Sequence, residues 1–228
     1  MPDGEPIRYA DLHIHPAGEV RDAVAVEAIY EAVLASSLAV AVFAEHDRVD
    51  IAQELVARVR TDDVMVELLV GEEITTRGGH RVGVGLTSRV PRGMPLGETV
   101  AAVHAQGAIA VVAHPLLPIW TSASEATLTE LAEGDPAMRP DAVEGMHPVA
   151  AWWPGWRRRV EELAQRLEYA VVGGSDAHRA RAVGRGRTGF RGATGADLFS
   201  AIRARETWTE GSRSPLRDIF RGDRQRDA

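Results

Sequence analysis

The residues best suited to chemistry in this chain are its histidines. Six of the eight, His13, His15, His46, His80, His114 and His178, follow closely on apolar runs of strand length, where active-site residues lie in parallel α/β barrels. His13 and His15 are two apart on one predicted strand, so both imidazoles leave the same face about 7 Å apart, a spacing for one ion or two neighbouring ones. Ile14 between them points into packing. Carboxylates arrive at comparable places: Glu73 closes MVELLVGEE, Asp176 follows VVGGS, and Glu19 stands four residues past His15. A carboxylate can bridge two ions whereas a neutral imidazole binds one, so the mixture suits a multinuclear site. Asp11 and Asp47, beside these histidines, are expected to accept from an imidazole and fix its tautomer. Any one such histidine is as readily a core or surface residue; six together are not. His104, in AAVHAQ, is expected to be exposed, and His147, after VEGM, to pack or to stand behind the ligands.

Composition narrows the chemistry further. The chain has no cysteine and no lysine, which removes disulfides, thiolate ligands, cysteine nucleophiles, Walker-type phosphate loops and Schiff bases. Nitrogen and oxygen remain as donors, a set that suits zinc, manganese or iron better than calcium or magnesium. The formal net charge of −7 disfavours an extended basic surface for long nucleic acids and leaves small substrates as the expected partners. No run of about eighteen apolar residues occurs and MPDGEPIRY lacks the plan of a signal peptide, so a cytoplasmic protein without a membrane span is expected.

The elements that must hold these residues alternate. Ile7 to Ile14 reads as a strand, Val24 to Ser36 as a helix, Leu38 to Ala44 as a strand, Ile51 to Arg60 as a helix and Val64 to Val70 as a strand. Strands at Arg81 to Leu86, Ala108 to Val112, Asp141 to Glu144 and Ala170 to Val172, with helices at Leu96 to Gln106 and Trp156 to Leu167, continue the pattern. It signals parallel strands joined by crossover helices, about seven strands, enough to close a barrel. Pro115 to Pro140 reads as a long loop with one short helix near Leu128. Length favours one α/β domain over residues 1–220, with a polar, frayed tail at 221–228.

Arg179, Arg181, Arg185, Arg187 and Arg191 follow Asp176 and His178. Arginine's planar fork fits phosphate, and Arg185 and Arg187 are the expected phosphate contacts, Arg185 because GRGRT sets it in a glycine-flanked turn. The other arginines, including Arg157 to Arg159, are read as solvated. Trp120, Trp152, Trp153 and Trp156 occupy loops flanking the Asp141 strand. Stacking on a substrate ring is one reading; burial in loop packing is the favoured one.

DLHIH (Asp11 to His15), AEHD (Ala44 to Asp47), GEEI (Gly71 to Ile74), AHP (Ala113 to Pro115) and GSDAH (Gly174 to His178), in that order, resemble the motifs of the PHP, or polymerase and histidinol phosphatase, family. GRGRTGF and a predicted helix at Asp197 to Arg203 are similar to its C-terminal segment, so the resemblance runs from Tyr9 to about Glu210. It implies a distorted (β/α)7 barrel with a multinuclear site at the C-terminal strand ends. By position it implies His13, His15, Glu19, His46, Glu73, His80, His114, Asp176 and His178 as ligands of two or three divalent ions, with Glu73 bridging. Glu73, Asp176 and His178 are then the catalytic residues. AEHD stands where the family has TDHD, and Glu19 stands near a position more often aspartate. The implied activity is hydrolysis of a small phosphorylated metabolite or short nucleotide by hydroxide from acidified water. The alternative is a degenerate barrel that binds a ligand or partner without turnover.

Overall fold

The computed structural model describes residues 4–17, 23–59 and 65–215. Valine-, isoleucine- and alanine-rich runs form seven strands: β1 (Ile7–Ile14), β2 (Val40–His46), β3 (Glu67–Thr76), β4 (Gly79–Val84), β5 (Ile109–Val112), β6 (Ala142–Met146) and β7 (Ala170–Gly173). Two more follow, β8 (Gly186–Arg191) and β9 (Trp208–Gly211). The helices are α1 (Ala23–Leu34), α2 (Asp50–Arg58), α3 (Leu96–His104), α4 (Glu125–Glu133), α5 (Trp156–Leu167) and α6 (Gly195–Ala204). Local chemistry sets their ends. The Ser124 hydroxyl accepts from the Thr127 N–H to start α4, and Thr194 with Asp197 forms a reciprocal capping box on α6.

The nine strands form one sheet in the order β7-β6-β5-β4-β3-β2-β1-β8-β9. It curls until its ends nearly meet: Ile14 bridges Ala177 just past β7, the His15 N–H donates to the Ala177 carbonyl (2.9 Å), and the Thr188 hydroxyl donates to the Gly173 carbonyl (3.0 Å). The result is a nearly closed α/β barrel, the fold class expected. One expectation is corrected: β4 runs antiparallel to both β3 and β5. Only Arg77 and Gly78 separate β3 from β4, and a parallel return would need a crossover of a dozen or more residues. The strands β8 (GRTGFR) and β9 (WTEG) are not legible in the sequence because both are short and carry little apolar alternation.

The barrel interior is apolar, built from Ala10, Leu12, Val40, Val42, Val82, Ile109, Val111 and Val172 among others. Outside it, α1 and α2 cover Ile14, Ala41 and Phe43, while α3, α4 and α5 cover Ile74, Val112 and Val143. Among the described residues no helix is long and apolar enough to cross a membrane.

A bulge in β1 decides the site. Ala10 pairs with Val40 and Asp11 with Ala41, yet Ile14 pairs with Phe43, so β1 spends one residue more than β2. Ala10 and Leu12 therefore face inward and Ile14 outward, and the facing inverts between Leu12 and His13. Without this extra residue the inward set would continue through even-numbered positions and send His13 and His15 to the outer face.

Candidate metal centre

Glu73 is the hub. Along β3 it points inward with Leu69, buried to 1% exposure, and five imidazoles reach its two oxygens from four strands. Oε2 lies 3.3 Å from His13 Nε2, 3.2 Å from His15 Nε2 and 3.1 Å from His46 Nδ1. Oε1 lies 2.7 Å from His80 Nδ1 and 3.2 Å from His114 Nε2. Each oxygen thus has its own set of nitrogens, the arrangement a bridging carboxylate requires. Asp176 adds a second carboxylate, its Oδ1 3.0 Å from His15 Nε2. The His178 ring stacks on His15 at 4.2 Å. Asp176, His178 and His46 form the more open side, with side chains 25%, 39% and 40% exposed.

The backbone here is unusual. Asp47 (φ 51°), His114 (φ 28°) and Asp176 (φ 49°) all occupy positive φ just past strand ends. Such conformations cost energy in non-glycine residues and persist where the surroundings impose them, commonly at functional sites.

Charges reinforce one another across the cluster. Burial pushes the Glu73 carboxyl up, but the His13 charge and hydrogen bonds from His114, His13 and His15 outweigh it and hold the group well below the usual range. Asp176 is held low in the same way by His147, His15 and His178. Burial lowers His13 and His15, yet the carboxylates beside them, Glu144 and Glu73 for the first and Asp176, Glu45 and Glu73 for the second, raise both well above the ordinary value. Cations placed among these donors would replace the imidazolium charge and leave the imidazoles neutral.

The comparisons with known proteins agree with this fold. A family profile for PHP-associated segments matches residues 154–207. A two-domain protein from Bacteroides vulgatus, containing a predicted PHP-like metal-dependent phosphoesterase, superposes with a TM-score of 0.70 at 16% identity, over 92% of this chain and 66% of its own. Residues 154–207 thus resemble a PHP-associated segment, and the fold is that of a PHP-like protein. The lesion-specific endonuclease PfuEndoQ of Pyrococcus furiosus superposes with a TM-score of 0.59 at 15% identity, over 87% of this chain and 56% of its own. The Uncharacterized protein MJ1587 of Methanocaldococcus jannaschii is 37% identical over 54 residues, which span 24% of this chain and 32% of that protein. The chain thus covers about a third of that relative and less than two thirds of these solved structures.

The donor set fits divalent ions. Three groups, His15 with His46 and His178, His13 with His15, Glu73 and Asp176, and His46 with Glu73 and His80, each bring one donor atom per residue within 4.8 Å of one another. Buried nitrogens of His80 (Nε2) and His114 (Nδ1) make no hydrogen bond, and buried polar atoms in that state call for a further partner. Eight of the nine expected ligands therefore converge. Glu19 lies outside the described residues.

The carboxylates that orient the imidazoles are not the expected ones. Asp11 accepts from the backbone N–H groups of His13, Ser175 and Gly184 (3.3, 2.9 and 2.8 Å) and touches no imidazole. Asp47 accepts from the Thr75 N–H (2.8 Å) and lies 3.5 Å from Arg92. Glu144 takes the role expected of them: Oε1 stands 2.8 Å from His13 Nδ1, while Oε2 accepts from the His114 N–H at 2.7 Å. Gly174 permits this, since a Cβ there would stand 2.5 Å from the His13 Cβ and 2.6 Å from Glu144 Oε1. Glu45, in the variant AEHD motif, lies 3.4 Å from His15 Nδ1 and accepts from the Ala17 N–H (2.9 Å). The missed signal was a buried acidic side chain near a strand end, Glu144 at an inward position of AVEGM and Glu45 beside His46 in VAVFAEH.

The remaining expectations divide. His147 does stand behind the ligands, its Nε2 3.3 Å from Asp176 Oδ2 and its Nδ1 accepting from the Ala150 N–H (3.2 Å). His104, expected to be exposed, is half-buried and pairs with Asp141 at 2.9 Å. Arg187 is committed elsewhere: it bonds Glu210 (2.9 Å) and lies over the Tyr9 ring at 4.2 Å, so the expected phosphate contact is corrected. Arg185 donates through Nε to the Arg181 carbonyl (3.2 Å).

Proposed function

We propose that the chain is a metal-dependent phosphoesterase acting on a small phosphorylated metabolite or short nucleotide. The observation that carries this reading is the convergence of five imidazoles on the two oxygens of Glu73, with Asp176 alongside. A barrel that had lost turnover would be expected to have lost part of this set.

His13, His15, Glu73 and Asp176 would hold one ion, Glu73 with His80 and His114 a neighbour, and His46 with His178 a further one if Glu19 completes it. Zinc, manganese or iron bound there supplies a water acidified toward neutral pH and positive charge for the phosphoryl oxygens. Glu73 spans the donor sets and keeps them at a fixed separation. Glu144 and Glu45 hold the rings of His13 and His15 in place through Nδ1, leaving each Nε2 turned to the centre. Asp176 and His178, with His46 on the exposed side, would meet the ester first, and the arginine-rich turn that follows them in sequence, Arg179 to Arg185, would offer basic charge to a phosphate.

Purified protein supplied with manganese should release phosphate or p-nitrophenol from a generic ester. His15→Ala and Asp176→Ala should each abolish that release and bind fewer ions by elemental analysis. Full activity in both variants would refute the assignment.

A further inference from the structure

The tryptophans at the barrel mouth differ in what they do with their rings. Trp156 is buried and donates to the Pro115 carbonyl (2.6 Å); Trp152 donates to the Ser214 carbonyl (2.8 Å) under Arg213. Those two follow the expectation of loop packing. Trp120 does not: it is 77% exposed, yet its ring lies only 5.7 Å from that of His80, with the two planes at 88°. His80 touches Glu73 directly, so this open indole borders the centre itself.

The loop that carries it is braced. The His80 N–H donates to the Thr121 carbonyl (2.7 Å), and the Ser122 hydroxyl donates to the His114 carbonyl (2.8 Å) while accepting from the Leu117 N–H (2.9 Å). Leu116 N–H to Ala123 (2.9 Å) and Ser122 N–H to Ile119 (3.1 Å) close the turn around Trp120. Gly79 (φ +105°) allows the close approach, since a Cβ there would meet the Ala123 nitrogen at 2.7 Å. Two of these anchors, His80 and His114, are candidate ligands, so the indole is held at a set position relative to the ions. A large apolar ring kept in water by a fixed loop forgoes the burial it would otherwise gain. Ile119 beside it is also exposed, at 46%.

We propose that Trp120 is a stacking platform for a planar ring on the alcohol side of the ester, which makes the substrate a nucleotide or another ring-bearing phosphate. The inference rests on the phosphoesterase reading for the place of the phosphate and deepens it by naming the substrate class. A phosphate held at the ions leaves its ester group to extend over the rim, and one ribose is about the span from a phosphate to a stackable base. Stacking on an indole face is tolerant of the ring's identity.

The test compares AMP with ribose 5-phosphate, which share the phosphate and sugar and differ only in the base. Binding of each to the metal-loaded protein is read by rapid-mixing tryptophan fluorescence, before turnover. Wild type should bind AMP at least tenfold more tightly, a difference of about 1.4 kcal/mol. Trp120→Ala should bring the two affinities to within about twofold, and Trp120→Tyr should restore most of the preference. Equal affinities in wild type, or a preference that survives in Trp120→Ala, would overturn the platform. An AMP preference lost in Trp120→Ala with no ester hydrolysed would instead uphold the platform and count against the proposed activity.

Discussion

The two faces of the β3–β4 hairpin carry the same kinds of residue to opposite ends. On the inner face Glu73 and His80, diagonal neighbours, meet at 2.7 Å within a cluster of complementary charges. On the outer face Glu72 and Arg81 occupy the matching diagonal, facing Gly83 and Ile74, and each is buried largely alone. Glu72 accepts one hydrogen bond, from the Val90 N–H at 2.8 Å, with Arg89 3.8 Å away. Arg81 donates from Nη1 to the His80 carbonyl, while its Nε and Nη2 have no partner. Burial then prevails: it raises the Glu72 carboxyl to about 7 and lowers the Arg81 guanidinium to about 9. Inside, partners prevail over burial, and Glu73 is held well below the usual range. Equal burial therefore predicts nothing about ionisation until the facing charges are counted.

Three substitutions test that contrast. Glu73→Gln removes the hub, and turnover of a generic phosphate ester should fall by about a thousandfold, with loss of bound ions by elemental analysis. A variant that retains its ions and its rate would show that the inner face does not depend on its bridging carboxylate. Glu72→Gln, one residue away, should leave turnover within about twofold and change the pH dependence of stability instead. The Glu72 carboxyl is raised in the folded state, so between about pH 4.5 and 7 the unfolded chain gives up a proton that the folded chain keeps. Wild type loses stability across that window, by about 3 kcal/mol at most. The variant should lack this slope in urea titrations at pH 4.5 and 7.5, and identical slopes would show that Glu72 has a compensating partner. Arg81→Met replaces a solitary buried charge with a side chain of similar length, and the His80 carbonyl still accepts from the Ala113 N–H (3.2 Å). Stability should rise by about 1–2 kcal/mol, read from the denaturation midpoint; a marked loss would mean that the guanidinium is satisfied in solution.

Much of this was legible in the sequence. Histidines and carboxylates that end apolar runs must come together if those runs close into a barrel, so His13, His15, Glu73, His114, Asp176 and His178 could be named before any coordinates. The order of DLHIH, AEHD, GEEI, AHP and GSDAH added the resemblance to the PHP family. Where the reading failed, the determining relation was long in range. Asp11 and Asp47 lie close to the ligands along the chain, but Glu144, 131 residues from His13, is the one that reaches its ring. Arg187 follows the ligands in sequence, yet β8 carries it to Tyr9 and Glu210.

The sequence by itself determined the donor atoms, their approximate order around the barrel and the exclusion of thiolate and lysine chemistry, because residue type and strand-end position are local properties. The tertiary structure decided which way His13 and His15 point, which carboxylates orient them, that β4 runs antiparallel, and that Trp120 stays open beside His80. Each of these depends on the register of one strand against another and on how a loop is braced across the barrel mouth. A one-residue bulge in β1 changes what its side chains face without changing the composition or apolar pattern that a sequence presents.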